Sequence, residues 1–176
     1  MKKQLCLIGI SLTFGIATSF LAPDYFEWSK EKKLSFADFK GTVPKMAGKD
    51  AVNLALLTNY KISQVKNEVP EITVYNYVDR EQSWIKVKKQ EILEIQQIKF
   101  DYAELQIRKI RKVLKEMNQK GIKDKNAYVD KLTQMANQAK KKSYSNFVLM
   151  EDQPHFIAMM KKEVSDSLKM YEAYAK

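Results

Sequence analysis

From Lys88 to Asn118 the chain runs without a single glycine or proline, and Ile95, Ile98, Tyr102 and Leu105, then Ile110, Val113, Leu114 and Met117, recur at steps of three and four. That spacing puts the apolar side chains on one face of a helix and commits about a sixth of the sequence to a long amphipathic rod. A rod of this kind is stable only when its apolar face is covered, so the rest of the chain must supply the cover. Gly121 is placed to stop the helix, and Asp124 to cap a second one whose stripe is Tyr128, Leu132, Met135 and Ala139. Lys140, Lys141 and Lys142 read as the end of that second helix, followed by a loop from Tyr144 to Pro154. Phe156, Met160, Val164, Leu168 and Tyr171 mark a third helix.

Upstream the period changes. Leu54 to Val65 and Glu71 to Val78 are rich in Leu, Ile, Val, Tyr and Thr, with Lys66, Asn67, Glu68 and Pro70 between them, which predicts two antiparallel strands. Pro23 to Gly48 carries Trp28, Leu34, Phe36 and Phe39 among polar residues and reads as a wrapping arm. The fold class expected is α+β: a strand pair or small sheet packed with three amphipathic helices.

The start of the chain reads Met1, Lys2, Lys3, an apolar run from Leu5 to Ile16, then Ala17, Thr18 and Ser19. Charge, apolar core and small residues in that order predict a signal peptide over residues 1–19, with Ala22 as a rival cleavage site. The expected organisation is therefore 1–19 leader and 20–176 one secreted domain, periplasmic or extracellular, with no membrane span after cleavage. An uncleaved anchor is the competing reading, and the run is short for a span of about 20 residues. The chain's only cysteine, Cys6, leaves with the leader, so the mature protein can form no disulfide and offers no thiolate ligand or nucleophile. A formal charge of +10 at pH 7 falls by only two when Lys2 and Lys3 are removed. So basic a surface favours an anionic partner such as lipid headgroups or acidic glycan. Nucleic acid is not expected for an exported chain, and the basic residues are interleaved with Glu and Asp as on an ordinary solvated surface.

Two stretches go beyond patterning. Trp28-Ser29 is followed by Leu34-Ser35-Phe36-Ala37-Asp38-Phe39-Lys40-Gly41, and Ser83-Trp84-Ile85-Lys86 precedes a helix containing Phe100-Asp101-Tyr102-Ala103-Glu104-Leu105. In these the chain resembles a bacterial domain-of-unknown-function family described as secreted zinc-dependent proteases, over most of its mature length. The resemblance implies a zincin-like fold whose helix carries H-E-x-x-H. That motif sets two imidazoles four apart on one helical face to ligate zinc, with a glutamate to activate the bound water. Aligned on Phe100 to Leu105, the motif positions hold Ile95, Gln96 and Lys99. An alkyl chain has no lone pair, a neutral amide is no base, and an ammonium repels a dication. The resemblance also implies a further histidine near Met150. The chain's one histidine, His155, follows a few residues later and reads as an ordinary polar residue at a helix start.

No catalytic, cofactor-binding or metal-ligating residue is therefore expected, and no cofactor. Three functions remain open. The first is a non-catalytic binding or structural component of the cell envelope, its partner and oligomeric state unspecified. The second is a hydrolase with an unfamiliar site built from Asp101, Glu104 and His155. The third is a basic protein holding anionic lipid or glycan, for which Arg108-Lys109-Ile110-Arg111-Lys112 is the densest basic cluster, although such a run also forms the polar back of an amphipathic helix.

Overall fold

The computed structural model describes residues 24–49, 51–152 and 155–176, with backbone alone over 140–152. The expected leader and its cleavage site lie outside the described residues, as does the side chain of Met150.

The architecture is α+β. Among the described residues five strands come first, β1 (Tyr25–Glu27), β2 (Val52–Asn53), β3 (Leu56–Ser63), β4 (Glu71–Asp79) and β5 (Trp84–Ile85). Three helices follow, α1 (Gln90–Gln119), α2 (Lys125–Asp152) and α3 (His155–Met170). The hairpin forms as the sequence predicts, β3 pairing with β4 in antiparallel register from Leu56 opposite Val78 to Ser63 opposite Glu71. The arm contributes more than wrapping. Its first residues form β1, which pairs with the other side of β4, giving a sheet of order β1-β4-β3, while β2 and β5 make a separate two-residue pair.

Strand β4 alternates. Ile72, Val74, Asn76 and Val78 face inward, and Val74 and Val78 are almost wholly buried. Against that face lies α1, the spine of the fold. Its Ile107, Ile110 and Leu114 pack with Val74 of β4 and with Tyr128 and Leu132 of α2. Ile98, Tyr102 and Leu105 meet Met160 and Val164 of α3. Leu93 and Phe100 meet Val78 and, from the arm, Leu34. Each such apolar side chain removed from water stabilises the fold by roughly 1.5–3 kcal/mol. With cover on three sides, α1 buries Gln96, Glu104 and Arg108 as well as its apolar stripe.

The helix ends have local causes. Gly121 takes φ of +66°, and the N–H groups of Gly121 and Ile122 turn back to the carbonyls of Asn118 and Met117. This is the left-handed cap for which glycine carries no Cβ penalty. Asp124 caps α2, its Oδ1 accepting the N–H of Asn126 at 2.9 Å. The expected end at Lys140–Lys142 and the loop after it are corrected: α2 continues to Asp152. Lysine is a good helix former, and nothing between Lys140 and Asp152 breaks a helix until Pro154. Among the described residues no helix is long and apolar enough to cross a membrane.

Candidate functional site

The positions that the family resemblance assigns to the metal lie in the first half of α1. Ile95 is half-buried and packs against the cluster of Ile98, Tyr102, Met160 and Val164. Gln96 is buried, and Lys99 stands one turn beyond Ile95 on the same face. Phe156 packs against the same cluster, so α3 begins beside that end of α1, and its first residue, His155, is exposed with its ring 4.5 Å from that of Phe156. Among the described residues no three His, Cys, Asp or Glu side chains gather where they could hold a metal ion.

The residues that carry the resemblance bolt the arm to the rest of the fold. Trp28 donates its indole N–H to Asp101 Oδ1 at 2.7 Å, and Gln97 donates to the same oxygen at 2.8 Å. Gln97 in turn accepts the backbone N–H of Leu34 at 2.7 Å. Asp38 has no exposure at all. Its carboxylate accepts the N–H and the hydroxyl of Ser35, both at 2.8 Å, and pairs with Lys32 at 3.2 Å and Arg80 at 2.9 Å. Burial alone would raise its pKa, but the Ser35 hydrogen bonds and the Lys32 charge outweigh that and hold it below the ordinary value. Asp24, paired with Lys40 and Arg80, is lowered by those two side chains for the same reason. Gly41 donates to the carbonyl of Ser83 at 2.7 Å, and a Cβ there would stand 2.7 Å from the Glu81 carbonyl oxygen and 2.9 Å from that of Ser83. Phe100 is buried edge to face with Phe26, their ring centres 5.6 Å apart.

One turn along α1 from Asp101 the arrangement becomes electrostatic. The buried Glu104 takes Arg108 Nε at 3.2 Å and Arg111 Nη1 at 2.9 Å on one oxygen, Oε1. Arg108, 2% exposed, also donates to the carbonyl of Leu168 at 2.7 Å and to Glu172 at 2.8 Å, and its guanidinium lies 5.1 Å from the Trp28 ring. Arg111 reaches the carbonyls of Val74 and Tyr174, at 3.0 and 3.2 Å. Glu172 is held below its ordinary pKa by Arg108. This network borders a cavity of about 240 Å³ between the arm, β4, α1 and the residues after α3. Asn76 is one of its lining residues, 3% exposed, with neither amide atom partnered among the described residues.

Two sequence readings change in consequence. Asp101, Glu104 and His155 do not converge. The two acids face different partners, and Arg108 ties Glu104 to the Leu168 end of α3, thirteen residues from His155 or about 20 Å along a helix. The basic run at Arg108–Lys112 is not simply the polar back of α1, because two of its four cations turn inward to Glu104. The others are also engaged, Lys109 over the Tyr171 ring and Lys112 with Glu116. Asn76 was missed from sequence, although a polar residue at an inward position of the alternating run Ile72, Val74, Asn76, Val78 was the signal available.

No protein-family model matches the chain, and no curated protein and no solved structure matches it either.

Proposed function

We propose that the chain is an exported, non-catalytic relative of a secreted zinc-protease-like domain, acting as a binding or structural component of the cell envelope. One observation carries this reading: Ile95, Gln96 and Lys99 stand where the resemblance requires two imidazoles and a carboxylate, and Ile95 is committed to core packing. Three changes together remove both of the motif's ligands and the carboxylate at its base position. Around this point the features that fix the frame are present. The Asp38 ion-pair hub, the Trp28–Asp101 bond and the close approach at Gly41 hold the arm on α1 and on the turn after β4. A frame that carries no reactive set suits a domain used for its surface rather than its chemistry. Export rests on the leader pattern of residues 1–19.

The reading is tested with purified protein incubated with a general peptide substrate, with added zinc and with chelator. No chelator-sensitive cleavage is expected, and intact mass of the natively produced protein should begin near Phe20. Metal-dependent hydrolysis, or protein retained in the membrane with Met1 to Ser19 attached, would contradict it.

A further inference from the structure

We propose that the cavity over Asn76 is a binding site for a small molecule that carries a carboxylate beside an N–H or ammonium group. This rests on the reading of the chain as a non-catalytic binding module and supplies its ligand class. The cavity's donors and acceptors define the chemistry. Among the described residues Arg108 uses Nε and Nη1 in bonds to Glu104, Leu168 and Glu172, leaving Nη2 as a charged donor. Glu104 receives both arginines on Oε1, leaving Oε2 as a charged acceptor. Asn76 adds one neutral donor, Nδ2, and one neutral acceptor, Oδ1, both buried and without a partner among the described residues, which a turn of the side chain would present to the cavity.

A carboxylate alone would satisfy the arginine and Nδ2 but leave the two acceptors empty. A cation alone would do the reverse. A molecule bearing both groups on neighbouring atoms satisfies all four, and burying any of them unpaired costs roughly 1–3 kcal/mol. Charge agrees: Arg108 and Arg111 stand with Glu104 and Glu172, two of each sign, which suits a ligand that carries one of each. Size agrees as well. About 240 Å³ far exceeds the ~10–15 Å³ a single water requires and falls below the ~300–1,000 Å³ of sites for drug-sized ligands. The Trp28 ring, already stacked by Arg108, offers an apolar wall for a short side chain.

Two sources share this chemistry, a free amino acid and the carboxyl end of a peptide. The purified protein is titrated by calorimetry with L-alanine and with L-alanyl-L-alanine, with acetate and methylammonium as controls. The Trp28 indole N–H resonance is followed in parallel. Saturable one-to-one binding of either test compound, with movement of the Trp28 signal, is the expected result. Alanine as the tighter ligand assigns the free amino acid, and the dipeptide as the tighter assigns the chain end. Asn76→Leu removes only an amide that has no partner among the described residues, so it should stay folded and bind roughly tenfold more weakly or worse. Absence of saturable binding to folded parent, acetate binding as tightly as alanine, or unchanged affinity in folded Asn76→Leu would each overturn the site. Hydrolysis of the bound dipeptide would leave the site standing and defeat the non-catalytic reading instead.

Discussion

Replacing Glu104 with leucine tests whether the buried ion cluster organises the fold. The side chains of Glu104, Arg108 and Arg111 are 4%, 2% and 18% exposed, and one carboxylate oxygen serves both guanidinium groups. Removing one partner from a buried pair destabilises by about 3–5 kcal/mol, because the charge left behind is unpaired. Here the lower end applies. Arg108 keeps the Leu168 carbonyl and Glu172, and Arg111 keeps the carbonyls of Val74 and Tyr174. A loss near 3 kcal/mol is a large part of a domain's roughly 5–15 kcal/mol and, at about 2–4 °C per kcal/mol for a chain of this size, lowers Tm by about 6–12 °C. Glu104→Gln keeps an acceptor without the charge and should fall between parent and Glu104→Leu. Adding Arg111→Leu to Glu104→Leu should recover part of the loss, since it removes one of the stranded charges. Thermal and denaturant unfolding measure all three. Asp166→Asn, which breaks an exposed pair with Lys162 and Lys169, is the control and should melt with the parent. If Glu104→Leu also melts with the parent, the cluster contributes nothing to the fold.

Gly41→Ala should destabilise by about 1–3 kcal/mol because its Cβ meets backbone oxygens that cannot turn aside, whereas Gly48→Ala, with open space, should not; paired melts decide. The lowered pKa of Asp38 makes its contribution to stability complete above the ordinary value of 3.8 and lost as pH falls through the lower folded value. Tryptophan fluorescence should therefore report the arm loosening only in strong acid, and Asp38→Asn should abolish that transition. Leu105→Asp places an unpaired charge among Ile98, Tyr102, Met160 and Val164 and should unfold α1 and α3 together, seen as loss of helical circular dichroism.

The sequence revealed elements better than surroundings. Period-three-and-four recurrence located α1 and the strand alternation located β3 and β4, because those signals are local. The single stripe read on α1 was incomplete: Phe100 and Ile107, among its most buried residues, lie off it, since sheet, α2, α3 and arm cover the helix from several sides. For the same reason Arg108 and Arg111 resembled a solvated face. Their partners at Val74, Leu168, Glu172 and Tyr174 are 37 to 64 residues away along the chain, and no window of sequence contains such a pairing. Strand β1 was hidden in the arm because three residues are too few to show alternation. Lys140–Lys142 misled by charge alone, where helix propensity carried α2 onward.

Zinc content separates a non-catalytic domain from a metal-dependent hydrolase most directly. The parent and the variant Ile95→His with Gln96→Glu and Lys99→His are exposed to equal zinc, dialysed and analysed by elemental mass spectrometry. The parent should hold no stoichiometric zinc, and metal in the variant alone would further support the alignment on Phe100 to Leu105. Near-stoichiometric zinc held by the parent through dialysis would contradict the non-catalytic reading outright.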